Sequence, residues 1–139
     1  MYSFRKSKKG FTLIELMVVV AIIAILALLG LRLYSTQQRK AKESMVRANA
    51  GSVQVTIQTE LVDVAPGYVT LNAGGLPDLE QLMNPFDNLS GFGNAWGEKG
   101  TSAVKSGIVI VSYSDKIYTI TPYGESTTAA IDYELTARK

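Results

Sequence analysis

The sequence of 139 residues contains neither cysteine nor histidine. The absence of both residue types excludes a disulfide framework, a zinc or iron site built on Cys and His, a cysteine nucleophile and a Ser–His triad. No pair of carboxylates that would converge on a substrate can be identified in so short a chain. We therefore expect a protein that is not an enzyme and that holds neither a metal ion nor a cofactor.

Positive charge exceeds negative charge only at the N-terminus. The formal net charge is +2, yet four cations stand within the first nine residues, namely Arg5, Lys6, Lys8 and Lys9. The chain beyond Gly10 is therefore slightly acidic. This charge balance predicts no nucleic-acid-binding surface.

A long apolar run follows the basic start, at residues 11–31 (FTLIELMVVVAIIAILALLGL). As a helix it would be roughly 30 Å long, which is the thickness of the hydrocarbon core of a bilayer. A secretory signal peptide would have a shorter apolar region followed by small residues, whereas Arg32 and Leu33 come next here. The run therefore predicts a membrane-spanning helix.

Glu15 is the one charged residue in this run. A carboxylate at the centre of a membrane helix costs on the order of 2.5–3.5 kcal/mol, and less near the interface. Glu15 could reach the headgroups or be protonated, or it could await a cation from another chain, because no other residue of its span is expected to pair with it. Charge does not fix the orientation of the span, since basic residues also follow it: Arg32, Arg39, Lys40, Lys42 and Arg47.

The N-terminal residues resemble the class III leader of type IV pilins and type II secretion pseudopilins. The order and spacing of this leader are a basic segment ending in Gly10, then Phe11-Thr12-Leu13-Ile14-Glu15, then the apolar run. The resemblance implies that a prepilin peptidase cuts after Gly10 and that Phe11 becomes the N-methylated N-terminus. It also implies that Glu15 pairs with the N-terminal amine of a neighbouring subunit, and that the leader faces the cytoplasm.

The chain departs from the family in two respects. Many type IV pilins carry Gly and Pro at the positions of Ala24 and Arg32, where the helix unwinds in filaments. In this chain Gly30 is the only residue of the run that would weaken a helix. Many pilins of Gram-negative bacteria close a C-terminal loop with a disulfide. Because this chain has no cysteine, another interaction must hold its C-terminal region.

The helix is expected to continue past the span to about Val62, since residues 36–62 contain no proline. An apolar stripe with helical spacing marks this second half, at Val46, Ala50, Val53, Ile57, Leu61 and Val64. The stripe would pack on the chain's own sheet or, alternatively, between subunits.

Beyond the helix the pattern predicts a small antiparallel sheet. Expected elements are a strand at 68–71, a turn at 72–75, a short helix at 76–83, a long loop at 84–107, and strands at 107–113, 116–121 and 130–137. The predicted fold class is α+β and pilin-like. Its parts are a cleaved leader (1–10), a membrane or filament-core helix (11–32), an amphipathic half of that helix (33–64), and a globular head (65–139) with an αβ-loop (65–106) and a sheet (107–137).

The long loop is rich in oxygen donors and aromatic residues. Asp87, Asn88, Ser90, Asn94 and Glu98 could bind calcium, but they do not match EF-hand spacing, so turn chemistry is expected. Phe86, Phe92 and Trp96 are expected to anchor the loop to the sheet, or else to form an exposed patch.

These features predict a structural subunit of a type IV pilus, stored in the inner membrane and exported as an extracellular homo-polymer. The implied partners are membrane lipid, a prepilin peptidase, an inner-membrane assembly platform and an assembly ATPase. One alternative is a secretion pseudopilin, because Asn84-Pro85-Phe86 and Ala95-Trp96-Gly97 faintly resemble a loop of that family. The chain could also be a non-polymerising anchored binding domain, which would keep its leader, or a membrane-tethered enzyme.

Overall fold

The structure is a computed structural model that describes residues 10–71, 75–127, 129–131 and 133–139. The basic part of the predicted leader and most of the predicted turn at 72–75 lie outside the described residues. The chain divides into two compact units, Met1–Gln37 and Gln38–Lys139. One long helix, α1 (Leu13–Asp63), contributes residues to both units.

The described part of the first unit is the apolar start of α1. Among the described residues, one helix is long and apolar enough to cross a membrane, and none of its most apolar window is buried. A core helix of a soluble domain would be covered by its own chain, so this segment is not one. Gly30 lies inside α1, which is unbroken there.

In the second unit the predicted stripe of α1 faces the core. The helix residues buried there are Val46, Ala50, Val53, Ile57 and Leu61. They belong to one cluster with sheet residues that include Val109, Val111, Tyr118 and Ile120. The stripe therefore packs within its own chain and not between subunits.

The sheet of the second unit has four strands in the order β1-β2-β3-β4. They are β1 (Trp96–Glu98), β2 (Val109–Ser114), β3 (Ile117–Pro122) and β4 (Leu135–Ala137). A two-residue turn joins β2 to β3, because Ser114 pairs with Ile117. Its residues Asp115 and Lys116 both have positive φ, 52° and 65°, which is the backbone of a type I′ hairpin turn. The predicted α+β class is confirmed.

Several expected elements differ in the structure. The sheet is mixed, because β1 pairs in parallel with β2, and no strand forms at 68–71. Val69 and Leu71 are buried there without a strand partner, so their apolar pattern reflects packing against the core. The helix expected at 76–83 is only a 3₁₀ turn, Pro77–Leu79, and the last strand is confined to β4.

Candidate functional site

The start of α1 is closed by a reciprocal pair of side-chain contacts. The Thr12 backbone N–H and the Thr12 hydroxyl both donate to Glu15 Oε2, each at 2.8 Å. The Glu15 backbone N–H in turn lies 3.3 Å from Thr12 Oγ1. This arrangement is a capping box, which supplies partners to backbone N–H groups that a helix start leaves unpaired.

The capping box corrects one expectation from the sequence. Glu15 does have a partner in its own span, because Thr12 provides two donors to its carboxylate. The signal was present in the sequence as a threonine followed by a glutamate three residues later. Both contacts use Oε2, so Glu15 is held in one orientation at the first turn of the helix.

The predicted cleavage point lies just before the helix, in backbone that is not helical. Phe11 is 87% exposed, and a Cβ added to Gly10 would meet no atom within 4 Å. The bond between Gly10 and Phe11 is therefore accessible. Nothing in the fold of the described residues requires glycine at position 10, so a requirement for glycine would have to come from the enzyme that cuts there.

Two of the five predicted oxygen donors of the long loop, Asp87 and Asn94, bond to the loop itself. Asp87 Oδ1 accepts a hydrogen bond from the Leu89 backbone N–H at 2.9 Å. Asn94 donates to the Ser90 carbonyl at 3.1 Å and accepts from Lys105 Nζ at 3.1 Å. Among the residues that the structure describes, no three acidic side chains are grouped so that they could hold a metal ion.

Asn84 organises this loop, a role that sequence reasoning missed. Its side chain is fully buried, and its Nδ2 donates to the carbonyls of Asn94 at 3.1 Å and Ser106 at 2.8 Å. Its Oδ1 accepts from the Phe86 backbone N–H at 2.9 Å. One buried amide therefore joins three points of the loop.

The aromatic residues anchor the loop to the core, as expected. Trp96 is fully buried, and its ring meets that of Phe92 edge-on with the ring centres 5.1 Å apart. Phe86 and Phe92 are partly buried against the same core. These three side chains therefore do not form an exposed binding patch.

The C-terminal region is held to the second unit without a disulfide. Strand β4 pairs with β3, for example at Thr119 and Thr136, and Gln54 Nε2 on α1 donates to the Thr136 carbonyl at 2.8 Å. Lys139 Nζ donates to the carbonyls of Val62 at 3.2 Å and Val64 at 3.4 Å. A lysine here provides a cation for carbonyls that the end of a helix leaves unpaired.

Comparison with known proteins decides what kind of N-terminus this is. Residues 5–31 match the prokaryotic N-terminal methylation motif, and this range contains Gly10, Phe11, Thr12 and Glu15. The fimbrial protein EcpB of Eikenella corrodens is 39% identical over 89 residues, which cover 59% of this chain and 56% of that protein. These two matches support an assignment to the type IV pilin family.

The extent of the similarity is limited. The match to EcpB spans little more than half the length of that protein. No solved structure matches the chain. The site around Gly10, Phe11 and Glu15 lies wholly within the matched motif, whereas the motif ends long before the sheet begins.

Proposed function

We propose that this pilin-family chain is a structural, non-enzymatic subunit of a type IV pilus filament. The observation that carries the proposal is the start of α1, where an exposed apolar surface coincides with the methylation motif. Large side chains along it are exposed by between 48% at Val19 and 76% at Leu13. Such a surface needs lipid while the subunit is stored and other helices once it is assembled.

Processing comes first in the proposed sequence of events. A prepilin peptidase cuts after Gly10 and the amine of Phe11 is methylated, which the exposure of this segment permits. The subunit then waits in the inner membrane with its N-terminus in the cytoplasm. An assembly platform and an ATPase extract it into a homo-polymer outside the cell.

Extraction has a physical cost that explains the need for a motor. Helix packing in a filament gains little hydrophobic free energy over lipid, because lipid tails are as apolar as leucine side chains. Close packing and polar pairs must therefore stabilise the filament core, at residues 11–32. The removal of the helix from lipid requires external energy, which we assign to the ATPase.

Glu15 is proposed to fix the axial position of each helix against the next. The energy of a charge pair depends strongly on distance in a medium of low dielectric constant. A slip by one helical turn, about 5.4 Å, would separate the Glu15 carboxylate from the amine of a neighbouring Phe11. Thr12 already holds the Glu15 side chain in one orientation. Less side-chain conformational entropy is therefore lost when Glu15 pairs with the amine.

Deletion of the gene, followed by examination of the cell surface, tests the proposed function. We expect surface fibres to disappear in the deletion strain, and we expect this chain to be the main component of fibres sheared from the parent strain. Unchanged fibres together with a loss of protein secretion would instead identify a pseudopilin. The fimbrial name of the relative supports a pilin over a pseudopilin.

A further inference from the structure

A group of cations that follows the apolar run has no part in the proposed function. They are Arg32, Arg39, Lys40, Lys42 and Arg47. In the proposed orientation these residues lie on the side of the membrane away from the cytoplasm, although lysine and arginine are normally concentrated on the cytoplasmic side. Cations retained against that preference are expected to have a partner.

Most of these side chains are open to a ligand. Arg39 Nη1 lies 3.7 Å from Glu125 Oε2, but the two side chains are 55% and 63% exposed, and an exposed pair of this kind contributes little. Lys40 and Arg47 are exposed, and neither forms an ion pair within the part of the chain that the structure describes. Lys42 differs, because its Nζ lies 5.3 Å from the centre of the Phe86 ring.

The net charge of this region remains positive when the carboxylates are included. Glu43 lies between the cations on α1, and Glu125 faces Arg39. These two carboxylates oppose the five cations. The excess of cations favours an anionic partner over a cationic or a neutral partner.

The position of the cations in the chain points to the membrane surface. Arg39 follows Leu31, the end of the apolar run, by eight residues, which at the rise of a helix is about 12 Å along the chain. Each headgroup layer is about 5–8 Å thick, and the field of an anionic surface extends about 8 Å further at physiological ionic strength. Arg39 and Lys40 therefore fall within reach of lipid phosphate groups, whereas Arg47 follows Leu31 by 16 residues, about 24 Å along the helix, and lies beyond that reach.

We propose that Arg39 and Lys40, here called the basic cluster, bind the headgroups of anionic phospholipids on the outer leaflet of the inner membrane. The inference rests on the proposed function, because it needs the subunit to be stored in that membrane. Binding of the basic cluster to lipid adds to the anchoring by the apolar run during storage. It must be broken when the subunit is extracted.

The test uses the full chain, purified and reconstituted in phosphatidylcholine bilayers. Electron spin resonance measures the fraction of spin-labelled lipid that contacts the protein, with labelled phosphatidylglycerol compared to labelled phosphatidylcholine. We expect the wild type to prefer phosphatidylglycerol and the variant Arg39→Gln/Lys40→Gln to lose at least about two thirds of that preference. Each cation near an anionic surface contributes a factor of about five to binding before screening.

The matched control is Lys99→Gln/Lys116→Gln, which removes the same charge from exposed positions elsewhere in the second unit. We expect the control to keep the wild-type preference. We also expect about 0.5 M salt, with a Debye length of roughly 4 Å, to reduce that preference. Near-ultraviolet circular dichroism checks that both variants are folded.

Four outcomes would overturn the inference. An unchanged preference in the first variant, or an equal loss in the control, would show that the basic cluster does not bind lipid. A loss of fibres in cells without any lipid preference would assign the cluster to contacts with a second copy of the chain, and the proposed function would stand. Failure of the wild-type chain to insert into bilayers would contradict membrane storage itself.

Discussion

Thr12 and Glu15 hold each other at the first turn of α1 through contacts of 2.8 Å. This local contact means that Glu15 has two separable tasks. It closes the start of its own helix, and in the proposed filament it also supplies a negative charge to a neighbour. Alanine at position 15 would remove both the helix cap and the charge, so it cannot distinguish the two roles. Glutamine removes only the charge, since it accepts the same hydrogen bond in a capping box.

We expect Glu15→Gln and Glu15→Ala to reduce the yield of sheared fibres by about tenfold or more. A tenfold change is equivalent to ~1.4 kcal/mol for each proposed pair between Glu15 and a neighbouring amine. Membrane insertion and leader removal should be unaffected, because both precede the proposed charge pair. Immunoblots of the sheared and membrane fractions measure the two effects. Normal fibres from Glu15→Gln with none from Glu15→Ala would mean that Glu15 serves the helix cap and that its charge is not required.

Asn84 is the second residue whose loss should have a clear effect. Asn84→Ala would leave two carbonyls and the Phe86 amide without the partners that this side chain provides. Since a buried polar group without a partner costs about 1–3 kcal/mol, we expect a loss of about 2–5 kcal/mol in the free energy of unfolding. Urea unfolding followed by the fluorescence of the single, buried Trp96 measures it.

The control for Asn84→Ala is Ser44→Ala, at an exposed position on α1. A surface substitution of this kind is expected to change the stability by less than about 0.5 kcal/mol. A similarly small effect of Asn84→Ala would show that the loop does not depend on its buried amide.

At the scale of elements, those with a strong periodic pattern could be predicted from the sequence, whereas the pairing of a short strand could not. The sequence pattern located each end of α1, β2 and β3 to within two residues. Their apolar spacing persists over several turns or a full strand, which makes such elements recognisable. β1 is three residues long and two adjacent positions, Trp96 and Gly97, are both buried. Such a strand shows no alternation, so its parallel pairing with β2 could not be read from the sequence.

The interactions of Asn84 could not be predicted from the sequence for a different reason. The backbone carbonyls that accept from its side chain, those of Asn94 and Ser106, are 10 and 22 residues away, and no local pattern indicates contacts over that separation. The capping box at Thr12 and Glu15 is the opposite case, because its spacing is local and could have been recognised. The site around Gly10, Phe11 and Glu15 was predicted from a motif, and its chemical roles stay predictions.

The end of α1 depends on a residue that is distant in sequence. Lys139 donates to the carbonyls of Val62 and Val64, while the last turn of the helix contains no basic residue of its own. We expect Lys139→Ala to lower the free energy of unfolding by about 0.3–1 kcal/mol. The effect should shrink in high salt, because salt screens a cation at a helix end.

Urea unfolding with and without salt measures the effect of Lys139→Ala. Arg138→Ala is the matched control, since Arg138 is also exposed and makes no salt bridge within the described residues. Equal effects of the two variants, or an effect of Lys139→Ala that salt does not change, would contradict the proposed helix cap. Increased hydrogen exchange in β4 would show that the same contact also holds the C-terminal strand.

At the scale of the whole molecule, the two units differ in what they need from their surroundings. The second unit has its own core, which includes Ile57, Trp96 and Ile120, so it can be folded in water. In the first unit no described residue is buried, and most of the side chains of its helix are apolar. The chain as a whole therefore needs a lipid or protein environment for one unit only, which fits a subunit that is first anchored and later assembled.

Processing at Gly10 and polymerisation from Phe11 onwards are central to the proposed function. Their most direct test is the intact mass and N-terminal sequence of the chain recovered from sheared fibres. We expect a chain that begins at N-methylated Phe11 and lacks the first ten residues. A chain that begins at Met1, in cells with an active prepilin peptidase, would contradict both steps.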